Sequence, residues 1–197
     1  MRNKVKELLG MTNVPTSEYQ REHPRPPWNH VFLREALLWS ERSHDADTQC
    51  GCVLVKDKTV LSTGYNGFIR DIDDSVLPNI RPFKYNFMLH AELNAILNCA
   101  RLGKPTLGAT AYITTKPCFS CFQMLYQAGI VHIVYSNFHI SQHYDNNEAD
   151  DQITAMLMLI NPTEIRYEDF ALPQPTTYTL TRLVMTFIDK NLVLPKK

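Results

Sequence analysis

The order of elements constrains this chain more than any single residue does: two β-rich runs lie back to back, and strands then alternate with helices. GCVLV (Gly51–Val55) and TVLSTGY (Thr59–Tyr65) are short, rich in strand-forming residues and separated by a polar turn, the pattern of a hairpin. ATAYITT (Ala109–Thr115) and VHIVYS (Val131–Ser136) read as further strands, and EIRYEDF as a last one. Between them lie helical patterns: about Leu89 to Leu102, closed by Gly103, and a second opened by Pro117 as a first-turn residue and closed by Gly129. A further helix, Trp28 to Ser43, precedes the hairpin, and another, Gln152 to Ile160, follows the fourth strand. A hairpin followed by strand–helix units predicts an α/β fold: a three-layer α/β/α sandwich with one mixed five-stranded sheet and helices on both faces.

The 197 residues fit one domain, expected over 28–170. Residues 1–27 are polar, end in HPRPP and read as an N-terminal arm, and 171–197 read as a C-terminal extension with a helical stretch at Leu180–Lys190. Twenty basic residues balance twenty acidic ones. That balance argues against a surface built for duplex nucleic acid or an anionic membrane. No apolar run has membrane-spanning length, and the N-terminus lacks the apolar stretch of a secretory signal. Five cysteines, an odd number, argue against a disulfide framework and for a reduced, cytoplasmic protein.

Chemistry concentrates at two helix starts. Cys118 and Cys121 in PCFSC are three apart and share a helical face. There, unpaired N–H groups and the helix dipole favour thiolate, the metal-binding form. The pair alone fits a redox site as well as a metal site. His90, at the start of the preceding helix, shifts the balance, because two thiolates and one imidazole form a three-ligand zinc site with one coordination position open. Glu92 lies two residues on, roughly 200° around the helix axis. That offset is awkward for two ligands on one helix face. It is reasonable if the metal lies off the helix end, with Glu92 beside a metal-bound water as a proton shuttle. The rest of the stretch, LNAIL, reads as core packing.

The pattern H-x-E…P-C-x-x-C is that of zinc-dependent nucleobase deaminases. TQCGCVLV, STGYNGF, DDSVLP, KYNFMLHAELNAILN and PCFSCFQMLYQAGI, with weaker support from YDNNEA, resemble the deoxycytidylate (dCMP) deaminases of the cytidine deaminase superfamily over about Trp28 to Phe170. The resemblance implies zinc held by His90, Cys118 and Cys121, with Glu92 as the catalytic proton carrier. It implies conversion of dCMP to dUMP, with Asn66 near the sugar and Ala91, Tyr144 and Lys84 as further substrate contacts. It also implies an effector site at Gly64, Tyr65, Asn66 and Gly67, with Arg101, for dCTP with Mg2+ (activating) and TTP (inhibiting). A homo-oligomer, hexamer or dimer, is expected on the same ground. The chain departs from the family in having Ile69 where proline is common, in lacking a second cysteine and histidine set for a structural zinc, and in its longer tail. Deamination of another substrate (dCTP, free cytidine or a tRNA adenosine), a zinc module without catalysis and a redox protein are the alternatives.

Overall fold

The computed structural model describes residues 25–136 continuously, with residues 4, 7–8, 152–156, 159 and 166–169 besides. The whole C-terminal extension, most of the N-terminal arm and Tyr144 lie outside the described residues.

Helix α1 (Trp28–Ser40) leads into the hairpin of β1 (Gly51–Lys56) and β2 (Thr59–Tyr65). A 3-10 turn at Phe83–Asn86 precedes α2 (Ala91–Arg101), followed by β3 (Thr110–Ile113), α3 (Phe119–Gln127), β4 (His132–Tyr135) and β5 (Arg166–Asp169). The strands lie in the order β2-β1-β3-β4-β5. β1 pairs antiparallel with β2 and β3, and β3–β4 and β4–β5 pair parallel. The sheet is therefore mixed, as the hairpin followed by strand–helix–strand units requires. Asp57 and Lys58 turn the hairpin, both with positive φ, the twist a two-residue hairpin loop needs.

Strand alternation assigns each side chain to a face. Cys52 and Leu54, Ala111 and Ile113, and Ile133 and Tyr135 point to one side, where they pack with Ala91, Ala95 and Cys99 of α2 and Phe122 and Leu125 of α3. Their neighbours Val53, Val55, Tyr112 and Val134 point to the other side and pack with Phe32, Leu33 and Ala36 of α1. Three layers result, with two cores separated by the sheet.

Two glycines set the spacing of these layers. A Cβ on Gly64 in β2 would lie 2.3 Å from the Ala91 carbonyl oxygen and 2.5 Å from the Ala95 nitrogen. On Gly51 it would lie 1.9 Å from the Ala36 carbonyl oxygen. Both helices thus rest directly on the sheet backbone. For α2 this narrows the expectation for LNAIL: Ala95 joins Ala91 and Cys99 in the buried stripe and Ile96 packs against the core, while Leu97 is exposed. Small residues every fourth position, facing a glycine, allow a closer approach than leucines would.

The helix starts are also sharper than the sequence suggested. α2 begins at Ala91 with His90 as its N-cap, and α3 begins at Phe119 with Cys118 as its N-cap, so Pro117 stands just outside the helix. Neither N-cap side chain makes a capping hydrogen bond. After α2 and α3, Gly103 and Gly129 take positive φ, as their reading as terminators required.

Candidate active site

The two N-cap residues face one another. His90 Nδ1 lies 3.5 Å from Cys118 Sγ and 3.3 Å from Cys121 Sγ, and the three donor atoms all fall within 4.8 Å of one another. In a tetrahedral zinc site, with Zn–S about 2.3 Å and Zn–N about 2.1 Å, nitrogen and sulfur ligands stand about 3.6 Å apart. The observed separations and the soft donor set both fit zinc. No other group of three or more potential metal ligands occurs among the described residues. His90 is exposed, Cys118 half-buried and Cys121 buried, so the cluster opens to solvent on its histidine side.

The protonation pattern suits a cation. Cys118 is held down to about 4, first by a hydrogen bond from the Cys121 thiol and then by His90. His90 is raised to about 9, chiefly by its hydrogen bond with Cys118. Cys121 is pushed up, because it is the partner that keeps the proton when Cys118 ionises. One thiolate is therefore already present in the cluster, and metal binding displaces the remaining protons.

Glu92 is 5% exposed, and burial pushes its carboxyl up, with His90 opposing that shift. A buried carboxyl with raised proton affinity beside a metal-ligand cluster is suited to accept and return a proton. Ala91 is fully buried, with its methyl in the core. Its N–H, in the first turn, has no partner within the helix.

Asn66 sits deeper than a surface turn residue. Its Oδ1 accepts from the Cys50 N–H at 2.6 Å, and its Nδ2 donates to Asp45 Oδ2 at 3.0 Å and to the Thr48 carbonyl at 2.9 Å. Both amide hydrogens are committed, and a sugar hydroxyl could reach only the second lone pair of Oδ1. Lys84, expected as a substrate contact, is corrected more sharply. It is 4% exposed, its ammonium is ion-paired with Asp45, and Asp47 lies 3.0 Å away. Its charge is spent inside the protein.

The effector candidates divide as well. Gly64 is buried beneath α2, so its Cα faces the helix and not a ligand. Tyr65 is half-buried, and its carbonyl accepts from Asn94 Nδ2 at 2.9 Å. Gly67 is buried and exchanges both main-chain hydrogen bonds with Leu89, at 3.1 and 2.8 Å. Arg101 is exposed in the last turn of α2.

Sequence reasoning did not single out Asp45. The Cys50 thiol lies 3.6 Å from Thr115 Oγ1, and burial, then the charge of Glu92, pushes it up to about 12. The signal for Asp45 was weak: a short acidic run after a helix is ordinarily a solvated turn.

A buried carboxyl beside a His-Cys-Cys cluster, placed by two helix starts over a mixed sheet, defines the class of zinc-dependent hydrolytic deaminases. The cytidine and deoxycytidylate deaminase zinc-binding region matches residues 26–137, and the chain belongs to that family. It is 31% identical to deoxycytidylate deaminase of Homo sapiens over 150 residues, covering 73% of this chain and 79% of that protein. It is 34% identical to a probable deoxycytidylate deaminase of Caenorhabditis elegans over 168 residues, covering 82% and 76%. Its fold matches the crystal structure of dCMP deaminase from cyanophage S-TIM5 in complex with dCMP and dUMP, with a TM-score of 0.59 and 24% identity, over 75% of this chain and 100% of that one.

Proposed function

We propose that this protein is a zinc-dependent dCMP deaminase, in which dCMP and water give dUMP and ammonia. The observation that carries the reading is the buried Glu92 carboxyl in hydrogen-bond contact with Cys121 of the His90–Cys118–Cys121 cluster. The names of the relatives supply the substrate, and their alignments span three quarters or more of their length.

Under this reading His90, Cys118 and Cys121 hold zinc, which when bound lowers the pKa of water and so provides a nucleophile near neutral pH. Glu92 accepts the proton that water gives up and delivers it to N3 of the pyrimidine. The same carboxyl later carries a proton to the departing amine, which leaves C4 as ammonia. One group serves both transfers, which a raised proton affinity favours. Ala91 contributes its main chain to the substrate site, Asn66 the remaining lone pair of Oδ1 toward the sugar, and Tyr144 a contact from the segment beyond β4.

The functional domain is 28–170, acting as a homo-oligomer in the cytoplasm, with dCTP–Mg2+ and TTP as effectors. Tyr65 and Arg101 are the members of the effector set with accessible surface. A balanced charge supports a small nucleotide over a tRNA as substrate. The test is ammonia release from dCMP, dCTP, cytidine and an RNA hairpin, each with and without dCTP plus Mg2+ and with TTP. Turnover fastest on dCMP is the expected result, and faster turnover on any other substrate overturns the choice. A zinc-loaded protein inert toward all four favours the module without catalysis.

A further inference from the structure

The segments flanking the site are mostly irregular, yet they meet in a buried polar core. Asp45, Lys84 and Asn66 are 6%, 4% and 7% exposed and come from three separate stretches of chain. Asp45 Oδ1 accepts from the Asp47 N–H at 2.8 Å, the Thr48 N–H at 3.0 Å and the Lys84 ammonium, and Asp45 Oδ2 accepts from Asn66 Nδ2. Asp47 Oδ2 accepts from the Arg81 N–H at 2.9 Å, and the Arg81 guanidinium donates to Thr48 Oγ1 at 2.9 Å. From Lys84 the chain reaches the zinc ligand quickly. The Lys84 carbonyl accepts from the N–H groups of Phe87 and Met88, each at 3.0 Å, and Leu89 is bridged to Gly67. His90 is the next residue.

Stability alone accounts poorly for such a pair. A buried ion pair loses hydration on both ions, and well-packed apolar residues often serve stability as well or better. What directional, charge-assisted bonds add is a unique arrangement of the groups they join. Here they join the loop before β1, the exit of β2 and the segment entering α2.

We propose that the Asp45–Lys84 ion pair, with Asn66, is a positioning device for the metal site: it fixes the 84–89 segment against the end of β2 and so sets where His90 presents Nδ1 to Cys118 and Cys121. Asp45 and Lys84 act through His90 and touch no reacting atom. The inference rests on the zinc reading of the cluster.

The test compares wild type, Lys84→Met, Asp45→Asn and the double variant D45N/K84M. Zinc retention is read by chelator competition and folding by urea denaturation, both in the full chain without substrate. Each single variant that folds should lose zinc at about tenfold lower chelator, in line with groups that orient metal ligands. The double variant buries no unpaired charge, so it should regain stability relative to the singles and still release zinc about tenfold more easily. If the singles do not fold, the double variant carries the test. A folded double variant that holds zinc as tightly as wild type shows the pair to be structural only and overturns the proposal. A wild-type chain that takes up no zinc overturns the metal reading, and this proposal with it.

Discussion

His90 and Glu92 stand two residues apart at the head of α2, one as its exposed N-cap and the other as its buried second residue. Ligand and proton carrier thus come from one turn of backbone but from opposite environments. The arrangement separates two roles that substitutions can test one at a time.

Glu92→Gln keeps the shape and removes the proton carrier. Ammonia release from dCMP should fall by about 10²–10⁴-fold, while zinc content stays at one per chain. Stability should hold or rise: burial raises the Glu92 pKa in the folded state, so the ionised carboxylate that prevails above it opposes folding. Turnover within a factor of a few of wild type removes Glu92 from the mechanism.

Metal removal should be reversible and should show in the folding equilibrium. Chelation abolishes activity, and zinc added at about a hundredfold above its Kd stabilises the protein by about 2.7 kcal/mol if the unfolded chain does not bind it. His90→Ala and Cys118→Ser should lose this increment. Thermal denaturation with and without zinc measures it, and an increment of full size in either variant excludes that residue as a ligand.

Cys50 should be a poor nucleophile despite its place beside the site. With its pKa pushed up to about 12, against an ordinary 9.0, its thiolate fraction at pH 8 is about a thousandfold lower. The folded protein keeps this proton where the unfolded chain releases it. Its contribution to stability is therefore full below pH 9 and is lost as pH rises toward 12. Mass-resolved alkylation of the zinc-loaded protein reads the reactivity, and rapid labelling at Cys50 at pH 8 contradicts it.

Gly64→Ala should disturb the site from a distance. The added methyl meets main-chain atoms of Ala91 and Ala95, which cannot rotate away, so α2 must shift off the sheet. Overpacking of this kind costs about 1–3 kcal/mol. The shift also moves His90, so zinc retention should fall together with stability. A variant as stable as wild type in urea counts against the close contact.

The sequence made much of this legible because the signals were local. Short apolar runs such as GCVLV and the PCFSC and HAE motifs depend on neighbours a few residues away, and the hairpin, the helix starts and the ligand cluster follow from them. What it hid was set by long-range packing. Lys84 looked free to meet a substrate because nothing near it in sequence announces that Asp45, 39 positions away, will bury it. Leu97 looked like core because its hydrophobicity is visible, whereas the glycine that brings Ala95 close to the sheet lies on another element. Asn66 in Asn-Gly suggested a turn, and only the assembled loop shows that its amide holds Cys50 and Thr48 in place.

The side chains of the two N-cap residues, His90 and Cys118, meet each other across the gap between the starts of α2 and α3. A cation held between them links two otherwise separate helix ends, so each start is secured only when the other is. Amide hydrogen exchange at 91–93 and at 119–121 should therefore slow in concert on metal loading, as though both first turns belonged to a single unit that opens as one.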